Sequence, residues 1–295
     1  MKALIDSDII CYEFGNMRDL ETSETLAWPI VRKFVDERIA KILEETEATD
    51  YHLYLTDSKS NFRIPVATIL PYKGQRPSDK PPHWENIREH LIEEYDAEVI
   101  YGMEADDALG IAQSQDWEEA LGLQATDDWD FAAGKMSKYC GTIICSRDKD
   151  LSMIPGWHYQ WECGKQAMRK WFVNETDGIR FFYQQLLTGD STDNILGLFG
   201  VGAKAASVKA LENMDDEDKM FIHVRKQYKD RFGSHWWMFM LENAKLLWIL
   251  REPIGDAHGA AEAQVYDRLM RYRDYEETTE EGNDDGEESN QEATV

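Results

Sequence analysis

Short apolar runs alternate with helical stretches through the first 150 residues, and most of the runs stop at an acid. Ala3 to Ile5 stops at Asp6, and the alternating, β-rich YHLYLT (Tyr51 to Thr56) stops at Asp57. AEVIY leads into EADDA, and GTIICS ends at Arg147-Asp148. Runs of this length with β-branched and aromatic residues read as strands. Between them, Ala27 to Glu45 has helical periodicity, with Ile30, Phe34, Ile39, Ile42 and Leu43 mostly on one side. A second helix is expected from about Pro82 to Tyr95, and EADDA opens a third. This alternation predicts an α/β domain with a largely parallel central sheet flanked by helices. Sheets of that kind place ligands beyond the carboxyl ends of their strands, which is where the acids fall. After short strands within Trp157 to Val173 the chain turns helical, including Ile179 to Leu187. Residues 1–175 are expected to form the α/β core, 176–273 a helical region and 274–295 a tail.

Composition bears on what the chain binds. The net charge of −25 is unevenly spread: after Arg273 there is no base, and Asp274 through Glu292 hold ten acids. Such a segment, almost free of apolar residues, is expected to be disordered. Net charge therefore does not exclude nucleic acid, because a local site decides what is bound. No apolar run is long enough to span a bilayer, and the first residues, MKALIDSDII, lack the features of a secretory signal. A cytoplasmic location and no membrane partner are expected. Cys11, Cys140, Cys145 and Cys163 form no CxxC pair. Cys140, Cys145, His158 and Cys163 loosely imitate a zinc-site rhythm, but the tight loops of such sites are missing and Cys145 reads as a core thiol.

Four acid clusters stand out: Asp6 and Asp8 in IDSD; Glu104, Asp106 and Asp107 in EADD; Asp148 and Asp150 in SRDKD; Asp190 and Asp193 in GDSTDN. Asp57 is an isolated fifth element. Any one cluster could cap a helix or make a turn. Four clusters near strand ends carry more weight, since gathered like charges are costly unless cations neutralise them. Oxygen-only ligands favour magnesium, with manganese as a substitute. Carboxylates around two ions are also the arrangement used for in-line phosphoryl displacement.

The fourth cluster runs into GLFGVGAKAASVKAL (Gly197 to Leu211). There Gly200 and Gly202 allow a tight turn with exposed amides, followed by a helix carrying Lys204 and Lys209. A glycine turn at a helix start suits phosphate without reading bases. With LIDSD, YLTDS, PYKGQR, GMEADDALG, ICSRDKDL, GDSTDNI and GLFGVGAKAA in this order, the chain resembles the 5′ nuclease superfamily. That superfamily includes flap endonucleases and the 5′ nuclease domain of bacterial DNA polymerase I, and the resemblance is to the compact bacteriophage 5′→3′ exonucleases in particular. It covers Asp6 to Leu211.

The resemblance implies a PIN-like nuclease core with a C-terminal helix–hairpin–helix region. It implies that Asp6, Asp57, Glu104, Asp106 and Asp107 surround a first metal ion, and Asp148, Asp150, Asp190 and Asp193 a second. Lys73 and Arg76 match basic residues near the scissile phosphate, Tyr72 is placed to stack on a terminal base, and Gly200, Gly202 and Lys204 grip duplex backbone, with a potassium ion there. The implied activity is 5′→3′ exonuclease or flap endonuclease cleavage of DNA, extending to RNA in RNA:DNA hybrids, in phage DNA replication within an infected bacterial cell. Two features depart from the family pattern: Asp8 stands where relatives commonly have a neutral residue, and the prolines of PSDKPP (Pro77 to Pro82) interrupt a long helical arch. The rival readings are a haloacid-dehalogenase-like phosphatase, from the Asp6/Asp8 pair and GDSTDN, and a non-catalytic DNA-binding relative. The first leaves EADD and the glycine turn unexplained, and the second would normally have lost ligands.

Overall fold

The computed structural model describes residues 1–57, 59–76, 79–126, 136–254 and 259–273. The acidic tail and Pro77 therefore lie outside the described residues.

Six strands form one sheet in the order β3-β2-β1-β4-β5-β6. They are β1 (Lys2–Asp6), β2 (Asp50–Thr56), β3 (Glu98–Ile100), β4 (Thr142–Cys145), β5 (Gly156–Gln160) and β6 (Arg169–Val173). Every pairing is parallel except β5 with β6. The sheet is buried on both faces, which is why its strands read as continuous apolar runs. Period-two alternation divides those runs between two cores. Leu4, Tyr54 and Ile144 face one core; Ala3, Ile5, Leu53, Leu55, Ile143 and Cys145 face the other.

Helices α1 (Ser7–Gly15), α2 (Trp28–Thr46) and α4 (Trp84–Tyr95) pack on the second core, and the four-residue α3 (Arg63–Val66) lies between β2 and α4. Helix α5 (Ala105–Thr126) covers the opposite face. On that side too are α6 (Glu175–Thr188), the five-residue α7 (Ala206–Ala210), α8 (Glu217–Phe232), α9 (Trp236–Leu247) and α10 (Ala260–Arg273). The expected helix over 27–45 is α2, but its inward face is Val31, Val35, Ile39 and Ile42. Ile30 and Phe34 point outward, at 47% and 39% exposure.

The strand order reverses between β1 and β4, so the chain leaves the sheet in opposite directions after Asp6 and after Cys145. The crevice this opens at the carboxyl ends is where such sheets bind ligands. One glycine pair shapes its far wall. Gly189 and Gly197 both have positive φ, and a Cβ on Gly197 would sit 2.2 Å from the Gly189 nitrogen. Only two glycines permit that approach, which closes the turn carrying Asp190 and Asp193 through paired Asp190–Ile195 backbone bonds.

Among the described residues no helix is long and apolar enough to cross a membrane. The loose zinc rhythm does not assemble. Cys145 is fully buried in the core, and the His158 ring bonds the Ile154 carbonyl at 2.8 Å.

Candidate active site

Three neighbouring cavities meet at the crevice. One, of about 380 Å³, is lined by Asp6, Asp8, Glu104, Asp106 and Asp148 with Lys73, Arg76 and Arg147 on its rim. A second, of about 390 Å³, holds Asp148, Asp150, Asp190 and Asp193. A narrow gap lined by Glu104, Asp106, Asp148, Asp150 and Asp193 lies between them. Asp148 borders all three.

The acids arrive from four separate places in the fold. Asp6 ends β1, and its Oδ2 accepts a bond from Ser146 Oγ at 2.8 Å, just past β4. The same hydroxyl accepts from the Asp148 amide at 2.9 Å, and Asp148 Oδ1 accepts from the Asp150 amide at 2.8 Å. One serine thus ties the end of β1 to the SRDKD turn. Gln185 on α6 donates to Asp150 at 2.6 Å. Asp190 Oδ1 accepts from the amides of Thr192 and Asp193, which orients that carboxylate inside its own turn.

The electrostatics are those of crowded, buried carboxylates. Burial, then the neighbouring Asp8, pushes the Asp6 carboxyl up to about 7. Burial and Asp148 do the same to Asp150, also to about 7. Asp106 rises well above the usual range through burial and then Asp6, while Asp148 and Asp8 rise chiefly through burial. Burial also opposes ionisation of Glu104 and Asp190. There, however, Lys73 with Arg63 holds Glu104 below the ordinary range, and Lys149 holds Asp190 below it. Groups whose negative charge is this costly are suited to take up a cation.

Lys73 and Arg76 lie against these acids. Lys73, at φ +53°, makes a close ion pair with Glu104, and its backbone amide bonds the Asp193 carbonyl at 2.9 Å. Arg76 pairs with Asp193. Asn194 donates to the Pro71 carbonyl at 2.8 Å, so PYKGQR is strapped to the GDSTDN turn.

Not every expected site residue joins the basin. Asp107 is completely buried and bidentate to Arg63, at 2.6 and 2.8 Å, and it also accepts the amides of Glu104 and Leu250. Its oxygens are held by Arg63 and these amides, away from the cavities that the other acids line. Asp57 lines an adjoining cavity with Ser60, Ile64 and Trp84, which shares Asp8, Lys73, Arg76 and Glu104 with the first. Tyr72 turns its hydroxyl inward, 2.9 Å from Glu104 and 3.0 Å from Asp193, so the group expected to stack on a base instead bridges two clusters. Asp8 accepts the Thr56 amide at 3.0 Å and pairs with Arg88 at 3.3 Å while lining the first cavity. Gly200, at φ +81°, and Gly202 have open space where a Cβ would stand, and Lys204 is exposed. Helix α7 is so short that its dipole adds little to that turn.

Arg63, Ser146 and Lys149 are the residues that motif reading missed. Ser146 and Lys149 stood in plain view inside SRDKD, and Arg63 in the basic loop before PYKGQR, but nothing local marked their partners.

Among the described residues, no three acidic, histidine or cysteine side chains converge closely enough to hold an ion without adjustment. The donor set nevertheless fits hard divalent cations. It is all oxygen, Asp6, Glu104 and Asp190 are buried, and Asp6, Asp106 and Asp148 form no ion pair among the described residues.

No protein-family model matches the chain, and no curated protein matches it in sequence. Solved structures do. The bacteriophage T5 D15 protein, crystallised with metal ions, superposes with a TM-score of 0.56 at 15% identity, over 92% of this chain and 97% of that one. A T5 5′-exonuclease variant gives 0.54 at 13% identity, over 92% and 98%. A T5 D15 flap endonuclease variant, in a complex with DNA and metal ions, gives 0.54 at 14%, over 92% and 97%. With its six-stranded, mostly parallel sheet and C-terminal helical region, the chain has the 5′ nuclease fold of the T5 D15 protein.

Proposed function

We propose that the chain is a divalent-cation-dependent nuclease that hydrolyses phosphodiester bonds of DNA from 5′ ends, as a 5′→3′ exonuclease or flap endonuclease. The observation that carries this reading is the convergence of acids from β1, α5, the turn after β4 and the turn after α6 on contiguous cavities. Nine carboxylates line that space, of which Glu13 is held by Arg38. A haloacid-dehalogenase-like phosphatase has no use for EADD there, and a binding-only relative has no reason to keep them all.

In this reading Asp6, Glu104, Asp106 and Asp148 hold one magnesium ion, and Asp148, Asp150, Asp190 and Asp193 a second, with manganese as a substitute. When bound, the ions supply Lewis acidity toward the phosphodiester and the attacking water. The chain's own groups position the reactants. Lys73 and Arg76 sit at the rim, where they counter charge developing on the phosphate. The amides of the Gly200–Gly202 turn and Lys204 hold duplex backbone, with a potassium ion at that turn, and read no sequence. Action on RNA:DNA hybrids, a phage replication role and a cytoplasmic setting in an infected bacterium belong to the same proposal.

A 5′-labelled duplex and a 5′-flap duplex, incubated with magnesium and separately with chelator, test it. Magnesium-dependent release of short 5′ products supports the reading, and their lengths separate exonuclease from flap cleavage. Hydrolysis of a small phosphomonoester with no DNA cleavage would overturn it.

A further inference from the structure

The acids of the basin differ in how their charge is balanced. Asp6, Asp106 and Asp148 have no ion-pair partner among the described residues, whereas Asp150 and Asp190 share one ammonium. Lys149 Nζ lies 2.6 Å from Asp150 Oδ1 and 2.5 Å from Asp190 Oδ2. Its side chain is 64% exposed, while those of Asp150 and Asp190 are 21% and 4% exposed. The lysine thus reaches in from solvent with its stem free, and only its tip is engaged.

The two carboxylates do not depend on Lys149 for their orientation. Gln185 holds Asp150, and the Thr192 and Asp193 amides hold Asp190. Side-chain rotation alone would remove the ammonium and leave the pair in place. A second cation cannot share those oxygens with it, because two positive charges at contact distance repel strongly where solvent is scarce.

Resting on the function proposed above, we infer that Lys149 is a built-in placeholder cation for the Asp150–Asp190 half of the basin. Its ammonium neutralises that pair in the metal-free protein and is displaced when a divalent cation enters. On the other side Asp6, Asp106 and Asp148 carry no such ammonium, and the one to be exchanged there is Lys73 on Glu104. Two consequences follow: the halves differ in affinity, and the displaced ammonium is released toward the cavity mouth.

The test is calorimetric titration of manganese into the full-length protein, its Lys149→Gln variant and, as a control, Arg147→Gln. Arg147 lines the same cavity as Lys149 with the same charge, but its guanidinium bonds Gln166 and, among the described residues, pairs with no carboxylate. The wild type is expected to bind in two steps of unequal affinity. Lys149→Gln should tighten the weaker step about fivefold, the size expected for losing two partly exposed ion-pair contacts. The tighter step should stay within about twofold, and Arg147→Gln should leave the gap between the steps unchanged. In chelator, Lys149→Gln should also unfold at lower urea, since two carboxylates lose their counter-ion. An unchanged or weaker second step, an equal effect from Arg147→Gln, or a single step in the wild type overturns the inference. A wild type that binds no divalent ion overturns the proposed function, and this inference with it.

Discussion

Asp107 and Arg63 offer the sharpest separation of structural acid from ligand acid. Replacing Asp107 with Ala leaves a guanidinium at 3% exposure without its bidentate partner, and its remaining carboxylate, Glu104, lies 4.0 Å away. The Arg63 hydrogen bonds would be reduced to the Leu246 and Trp248 carbonyls, at 3.0 and 2.6 Å, and the amides of Glu104 and Leu250 would lose their acceptor. Breaking a buried pair from one side costs about 3–5 kcal/mol. For a protein of this size that corresponds to a fall in melting temperature of roughly 10 °C. The pair also joins α3 to the start of α5 and to the segment after α9, so the loss should loosen the helical region from the sheet. Urea unfolding in chelator and in saturating magnesium should show the same deficit, because the Asp107 oxygens are taken by Arg63 and by the Glu104 and Leu250 amides. Arg63→Met combined with Asp107→Leu should recover much of it, as apolar replacements of buried pairs do. If Asp107→Ala costs less than about 1 kcal/mol, the low end of single-residue effects, and magnesium binds more weakly, then Asp107 is a ligand and the argument fails.

Other consequences can be checked separately. The Asp6 carboxyl, raised from 3.8 to about 7, keeps a proton that the unfolded chain releases, so the metal-free protein should lose stability as pH rises from 4 to 7. Asp6→Asn should remove up to ~4 kcal/mol of that loss, read as urea midpoints in chelator at pH 5 and pH 8; identical pH profiles for both proteins would contradict it. His158, buried neutral with its pKa lowered from 6.5 to about 4, should cost stability as pH falls through that window, by ~3 kcal/mol in full. His158→Gln should flatten that acid limb in a thermal-melt series, and an unchanged limb would rule the histidine out. Lys73→Ala should lower the single-turnover cleavage rate more than it weakens DNA binding. A drop in affinity alone, at an unchanged saturated rate, would make Lys73 only a clamp.

What the sequence determined by itself was local. Apolar runs of strand length set β1, β2 and β4, and acids next to those runs had to appear at the carboxyl ends of a parallel sheet. Spacing alone was also enough to mark the four clusters, and the glycines near GDSTDN marked a tight turn. Tertiary structure decided which atoms face one another. Asp106 and Asp107 are adjacent in sequence, yet successive residues on a helix point about 100° apart. One therefore entered the basin, and the other met an arginine 44 residues away. The hydroxyl of Tyr72 turned inward for a similar reason, since its partners come from α5 and from a turn 121 residues later. The apolar face of α2 moved by one residue, from Ile30 and Phe34 to Val31 and Val35, because the sheet and α4 set the angle at which that helix lies. Lys149 was legible as a residue but not as a counter-ion: its pairing with Asp190 exists only because the fold brings the turn after α6 against the turn after β4.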